Sequence, residues 1–275
     1  MDTITGAAMP SVICFISDFG LQDSWVGVCH AVIHEACPEA HVVDLGHQID
    51  PFDIRKAAAA AASGVYQLPE AIHLVVVDPG VGGGRRDLCI VTGEGTQLVG
   101  PDNGVLIPAD RRAGGIAEAI VIAPDRIGSK PPLATFHARD VMAPAAAALA
   151  CGAEPSSLGD PLDASELVPA PFGLPVAEGG QVVTEVVDID RFGSVRVGIA
   201  DTELAQYGLD SGRVEIGFGH AVIEMPLGET FADVPEGGEV ALVDSSGWLT
   251  VAVRMGSAAE RFGIELGTRA HVRSL

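Results

Sequence analysis

The apolar residues of the first half of the chain alternate between strand-like and helix-like patterns. Val12–Ser17 (VICFIS) is a β-branched and aromatic run of strand length, ending at the turn Asp18-Phe19-Gly20. A helix is predicted to begin near Asp23, with Trp25, Val28, Cys29, Val32 and Ile33 along one face. His41–Leu45 reads as a second strand. Asp53–Val65 (DIRKAAAAAASGV) is the clearest helical segment, because alanine has the highest helix propensity and Asp53 is placed to cap it. Ile72–Val77 (IHLVVV) has the continuous apolarity of a buried strand and runs into the loop Asp78–Arg86 (DPGVGGGRR). Strands follow at Leu88–Thr92 and near Leu98, and an alanine-rich helix runs from about Asp140 to Cys151. This alternation predicts an α/β domain with a largely parallel sheet flanked by helices.

The pattern changes after Gly152. Pro155, Pro161, Pro169, Pro171 and Pro175 fall in a stretch with neither helical nor strand periodicity. Beyond it, short strand patterns at Gln181–Val187, Ser194–Ile199, Arg213–Phe218, Ala221–Met225, Glu239–Val243, Trp248–Val253 and Thr268–Val272 are separated by turn residues. Only one short helix, Ser257–Phe262, interrupts them. The expected organisation is an α/β domain over residues 1–165, a connection over 166–180, and an all-β, barrel-like domain over 181–275.

Composition narrows the function classes. With 275 residues, 48% hydrophobic and 19% charged, the chain can bury proper cores and is not a disordered one. The longest apolar runs, Ala57–Ala62 and Met142–Ala150, fall short of the ~20 residues of a membrane span. No basic stretch precedes an apolar one at the start, so a soluble, cytoplasmic protein is expected. Sixteen Lys+Arg against 37 Asp+Glu give a net charge of −21, which argues against a nucleic-acid or anionic-membrane partner. Only Lys56 and Lys130 are lysines, so cationic chemistry falls to arginine. The five cysteines form no C-x-x-C pair and are expected as buried reduced thiols.

In an open α/β sheet, ligands bind beyond the carboxyl ends of the strands. Asp18 follows the first strand there, Asp78 the third, and Asp102-Asn103 follow Leu98-Val99-Gly100. A carboxylate such as Asp18 can accept hydrogen bonds from both hydroxyls of a ribose diol; the plainer reading is a turn aspartate holding backbone amides. The glycines of the 78–86 loop allow close backbone approach, but neither a P-loop ending nor G-x-G-x-x-G spacing is present, so a phosphate site is not expected. That loop instead sets Asp78 close to Arg85, where the plainer reading is a surface ion pair worth ~0–1 kcal/mol. His137 precedes the last helix of this half, while His30, His34, His41, His47, His73, His220 and His271 read as structural or exposed. His47, Asp102 and His137 lack the spacing that would pin a metal, and no cofactor is expected.

Taken in order, Ser17-Asp18-Phe19-Gly20 with Asp23 and Val26-Gly27, Val77-Asp78-Pro79-Gly80-Val81-Gly82 with Arg85-Arg86, Gly100-Pro101-Asp102-Asn103-Gly104, and Thr135-Phe136-His137 with Arg139-Asp140 form a specific set. Asp190-Arg191-Phe192-Gly193 and Ser245-Ser246-Gly247-Trp248-Leu249 follow. Through these motifs nearly the whole chain resembles the S-adenosylmethionine (SAM) hydroxide adenosyltransferases, or SAM hydrolases, which are related to SAM-dependent fluorinases and chlorinases. The resemblance implies in-line attack of an activated water on C5′ of the SAM ribose, giving adenosine and methionine. The family's Asp–Arg–His set falls on Asp78, Arg85 and His137. Asp18 would hold the ribose hydroxyls, Phe52 would pack on the ribose or methionine side, and Asp23 would face the methionine amino group. Phe192 and Phe231 match aromatics that sandwich adenine, and Ser194, Ser245 and the Val253 backbone match positions contacting adenine or methionine.

The resemblance further implies a homotrimer, with each site between the first domain of one subunit and the β-domain of its neighbour. This chain departs from the family pattern at Ser194 and Asp244, usually Asn, at Thr250, often Glu, and at Ala138, often Gly. Those departures touch binding more than the Asp78, Arg85 and His137 set. Halogenating relatives carry an aromatic at position 78 and lack the histidine, because a halide needs desolvation rather than deprotonation. Asp78 and His137 therefore favour water as the nucleophile. A SAM or adenosine binding module is the alternative outside enzymes, and a dinucleotide dehydrogenase lacks its glycine fingerprint.

Overall fold

The computed structural model describes residues 11–128, 133–210, 212–219 and 221–275; Lys130, His220 and the start of the chain lie outside the described residues. The chain divides into two compact units, Met1–Pro171 and Phe172–Leu275.

Unit 1 is built on a seven-stranded sheet: β1 (Val12–Ser17), β2 (His41–Gly46), β3 (Ile72–Val76), β4 (Asp87–Thr92), β5 (Gln97–Pro101), β6 (Ile116–Ile122) and β7 (Gly159–Pro161). Their order is β2-β1-β3-β5-β4-β6-β7. β2, β1, β3 and β5 pair in parallel. β4 is antiparallel to both β5 and β6, so β6 runs with the first four strands while β4 and β7 oppose them. The sheet is thus largely parallel, with one reversed strand inserted beside β5.

Helices α1 (Trp25–Ala36) and α4 (Ala143–Ala150) pack together, and α2 (Ile54–Gln67) packs on α3 (Ile107–Arg112). Ile13, Phe15, Leu74, Val76 and Cys89 join Ile33, Val141 and Met142 in one core, as period-two strands facing helices require. The alternate residues Cys14, Ile16 and Val75 are buried as well, so both sheet faces are covered. Asp53 caps α2 by accepting from the Lys56 amide at 2.9 Å. α3, β6 and β7 are additional elements that the apolar pattern does not announce.

The helix expected over 140–151 is present, but it opens with a wider turn. Ala138–Met142 forms a π-helical turn, and α4 begins only at Ala143, with Pro144 in its first turn. Proline has no amide proton to donate, which suits it to a first turn. Cys37 and Cys151, at the carboxyl ends of α1 and α4, form a disulfide, correcting the expectation of five reduced thiols. Cys14, Cys29 and Cys89 are free and buried; burial pushes their thiols up to about 11, 12 and 12.

Unit 2 is antiparallel throughout its main sheet. β8 (Val176–Glu178) pairs with β9 (Gln181–Ile189), and β10 (Val195–Ala200), β11 (Arg213–Phe218), β12 (Ala221–Pro226), β13 (Glu239–Val243), β14 (Trp248–Val253) and β15 (Arg269–Ser274) complete the order β12-β11-β15-β9-β10-β14-β13. A bridge between Leu227 and Ala241 links the two ends, so the sheet is nearly closed. Val186, Val197, Ile216, Phe218, Met225 and Val251 fill its interior. Helix α5 (Ala258–Phe262) is capped by Ser257, and Gly263 ends it in the left-handed conformation.

Candidate functional site

The carboxyl ends of β1, β2 and β3 open onto a cavity of about 640 Å³ in unit 1, lined by Asp18, Phe52, Asp78, Phe136 and His137 among others. Edge-to-face contacts join the rings of Phe15, Phe19, Trp25 and Phe136 beside it, at centroid separations of 5.8–6.4 Å. This combination of an apolar wall and a few convergent polar groups suits a small organic ligand.

Asp78 is nearly buried and is held by Arg85, whose Nε donates to its two oxygens at 2.9 and 3.0 Å and whose Nη2 donates to Oδ2. Arg85 also donates from Nη1 to Asp87 Oδ1. The other oxygen of Asp87 lies 2.8 Å from His137 Nδ1. Asp78, Arg85, Asp87 and His137 therefore form one continuous chain, and both ends line the cavity. Burial alone would lower the pKa of Arg85, but the carboxylates of Asp78 and Asp87 outweigh it and hold that pKa above its usual value. The plainer reading of a surface ion pair does not hold, because the Asp78 and Arg85 side chains are only 7% and 10% exposed.

Loop geometry brings the parts together. Gly82 has φ +73°, and a Cβ there would sit 2.0 Å from the Ala134 carbonyl oxygen, so only glycine lets the 78–86 loop meet the segment leading to His137. Asn103 Nδ2 donates to the Val77 carbonyl at 2.8 Å, tying the β5 turn to the residue before Asp78. Arg86, next to the site's own arginine, pairs instead with buried Asp102, which also accepts from the Val168 amide at 3.0 Å.

Asp18 accepts the Phe52 amide at 2.9 Å, so it does hold a backbone amide, yet it also lines the cavity. Phe52 is 69% exposed and has φ +71°, a conformation that costs a non-glycine residue about 1–3 kcal/mol. Below Asp18, Ser17 Oγ lies 2.7 Å from His47 Nδ1, and His47 and His30 reach Asp44 Oδ1 at 3.0 and 2.8 Å. The Ser–His–Asp order is that of a hydrolytic triad, but Ser17 is fully buried, and the network braces the turn that carries Asp18. His47, Asp102 and His137 sit in three separate networks, and among the described residues no group of His, Cys, Asp or Glu is arranged to hold a metal. Asp23 is exposed and is not among the cavity residues.

The remaining residues belong to unit 2. Phe192 (79% exposed) and Phe231 (49%) present their rings to the surface. Ser194 is buried beside β10, its amide accepted by Asp190 Oδ1 at 2.9 Å; Ser245 is exposed; and Val253 ends β14.

Asp87 is the site residue that the motifs do not single out. Its signal is period-two alternation: Asp87 and Cys89 share one face of β4, and Cys89 lies in the core with Ala138 and Val141. Because β4 runs antiparallel to β5, its first residue lies where the parallel strands end.

Fold and site define a class: a parallel-sheet α/β unit with an acid–guanidinium–imidazole chain at its strand ends, followed by a β-barrel-like unit. Comparison with known proteins specifies it. Residues 13–159 match the SAM hydroxide adenosyltransferase N-terminal domain and residues 184–271 the C-terminal domain. The chain belongs to the SAM hydroxide adenosyltransferase family. It is 42% identical to an (R)-S-adenosyl-L-methionine hydrolase of Thermus thermophilus, covering 93% of this chain and 96% of that one. A fluorinase of Nocardia brasiliensis is more distant, 28% identical over 98% of this chain and 99% of its own. A crystal structure of an uncharacterized conserved protein from Thermotoga maritima superposes with a TM-score of 0.86 at 32% identity, covering 95% of this chain and all of that one. No helix among the described residues is long and apolar enough to cross a membrane.

Proposed function

We propose that the protein hydrolyses S-adenosyl-L-methionine to adenosine and L-methionine. Water attacks ribose C5′ in line with the sulfonium, the C5′–S bond breaks, and its electron pair stays on sulfur as the methionine thioether. A sulfonium is already a good leaving group, so the difficulty lies in the nucleophile: free water has a pKa near ~15.7. Asp78 and His137 hold the water and take its proton, while Arg85 favours the hydroxide that develops. Fixing the water in line also removes the entropy cost of a bimolecular encounter. This reading needs no metal or cofactor, and dialysis against a chelator should leave the rate unchanged.

One observation carries the proposal: a carboxylate and an imidazole, joined through a buried arginine and a second carboxylate, line the same cavity as Asp18. The relatives' names specify the R configuration at sulfur, and we extend the proposal to that epimer; epimerised SAM should lose its R form first. Asp18 binds the ribose diol and Phe52 covers the ribose or methionine. Asp23 faces the amino group, and Phe192, Phe231, Ser194, Ser245 and the Val253 backbone contact adenine or methionine. The exposed rings of Phe52 and Phe192 suit coverage by a neighbouring copy, in keeping with a cytoplasmic homotrimer whose sites form between subunits; sedimentation equilibrium tests that stoichiometry.

The deciding experiment incubates the protein and its Asp78→Ala variant with SAM. Hydrolysis predicts adenosine from the wild type and a large loss in the variant. A binding module would bind SAM with no turnover dependent on Asp78, and a halogenase would give 5′-halo-5′-deoxyadenosine when chloride or fluoride is added.

A further inference from the structure

Asp87 is not exposed to the ligand as a reacting group would be, yet it touches two residues of the proposed water-activating set. It is buried at the head of β4, and its two oxygens serve different partners: Oδ1 accepts from Arg85 Nη1, and Oδ2 lies 2.8 Å from His137 Nδ1. The backbone fixes this placement. β4 is reversed relative to β5, with Asp87 opposite Pro101, so a strand head rather than a mobile loop delivers the carboxylate to the edge where the parallel strands end. Asp87 also shares its face of β4 with Cys89, which packs in the core that holds the π-helical turn after His137.

A neutral imidazole carries its proton on one nitrogen and accepts on the other, and the hydrogen bond made by one nitrogen sets the role of the other. An ionised carboxylate only accepts. We propose that Asp87 is a positioning residue that holds His137 as the Nδ1–H tautomer, making Nε2 the nitrogen that takes the proton from water, and tethers Arg85 to the same point. The proposal rests on the hydrolase reading for its kinetic consequence, but the tautomer does not depend on that reading. It also assigns roles within the set: His137 receives the proton at Nε2, while Asp78, held by Arg85 through three hydrogen bonds from Nε and Nη2, orients the water.

Three variants and one spectroscopic measurement test it. Asp87→Asn keeps the shape but can donate to Nδ1 and so favour the wrong tautomer. Where an aspartate orients a catalytic imidazole, that exchange costs up to ~10⁴ in kcat. Asp87→Asn and Asp87→Ala should lower kcat by about 10²-fold or more with little change in KM for SAM, because Asp87 is not among the residues lining the cavity. Asp87→Glu should recover part of the loss, since it restores an acceptor-only group. Long-range ¹H–¹⁵N correlation of the His137 ring should show the Nδ1–H tautomer in the wild type and its loss in Asp87→Asn. A wild-type His137 protonated at Nε2 alone, or an Asp87→Asn variant with wild-type kcat, overturns the proposal. A wild type that turns over no SAM overturns the hydrolase reading instead, and the ring spectrum still decides the role of Asp87.

Discussion

Each unit of this chain holds an arginine between two aspartates. In unit 1, Arg85 joins Asp78 and Asp87; in unit 2, Arg196 joins Asp188 and Asp244. Both guanidiniums are largely buried, and in both the flanking carboxylates outweigh burial and hold the arginine pKa above its usual value. Their surroundings differ. Asp244 also accepts the Ser246 and Trp248 amides at 2.9 and 3.2 Å, so the Arg196 cluster closes on its own backbone between strands. Asp78 lines a cavity, and Asp87 continues into an imidazole that lines it too. A buried ion cluster is therefore not a site by itself. It becomes one where it borders a space for a ligand and includes an imidazole able to accept a proton from that ligand.

Exchanging the two arginines for methionine should separate these roles. Arg85→Met removes charge stabilisation at the proposed nucleophile and leaves two buried carboxylates without their cation. Adenosine formation should fall by about 10²–10³-fold, and stability should fall as well. Arg196→Met should cost about 3–5 kcal/mol in urea unfolding while the folded protein keeps its kcat, because only the buried ion cluster is broken. If Arg196→Met abolished turnover at unchanged stability, the contrast between the clusters would be lost.

Asp110 sharpens the contrast, as a buried aspartate with no guanidinium on its Oδ1, an atom without a hydrogen-bond partner among the described residues. Burial pushes its carboxyl up to about 6, and the charge of Arg111 offsets only part of that. Between pH about 4 and about 6 the folded chain keeps a proton that the unfolded chain has released, so stability from this group is lost as pH rises through that window. Asp110→Asn should remove the loss and gain on the order of 2 kcal/mol at pH 7, with no gain at pH 4. Urea midpoints across that range measure the difference. The smallest effect is expected at Phe192, whose exposed ring contributes stacking alone. Phe192→Ala should raise KM for SAM by roughly 2–10-fold with stability unchanged.

Much of this arrangement was legible in the sequence for physical reasons. Apolar runs marked β1 and β3, the alanine-rich stretch marked α2, and turn spacing marked the strands of unit 2, because burial and backbone propensity act locally. Asp18, Asp78 and His137 stood out because they follow strand ends or precede a helix, where polar groups face ligands. Asp87 did not, because its role depends on β4 running against its neighbours, and one chain segment does not encode the direction of its partner. The Cys37–Cys151 bond joins residues 114 apart that only the packing of α1 on α4 brings together. The π-helical turn at Ala138–Met142 replaced an ordinary helical start for which the alanine-rich pattern gave no warning. The brace of Ser17, His47, Asp44 and His30 was hidden for the same reason as Asp87: strands β1 and β2 had first to pair.

The most direct test of the account follows the oxygen atom. SAM incubated with the protein in ¹⁸O-water should yield adenosine carrying the label at its 5′ oxygen and unlabelled methionine, because solvent displaces the thioether from the ribose carbon. Adenosine without ¹⁸O at that position, or label recovered in methionine, would contradict it.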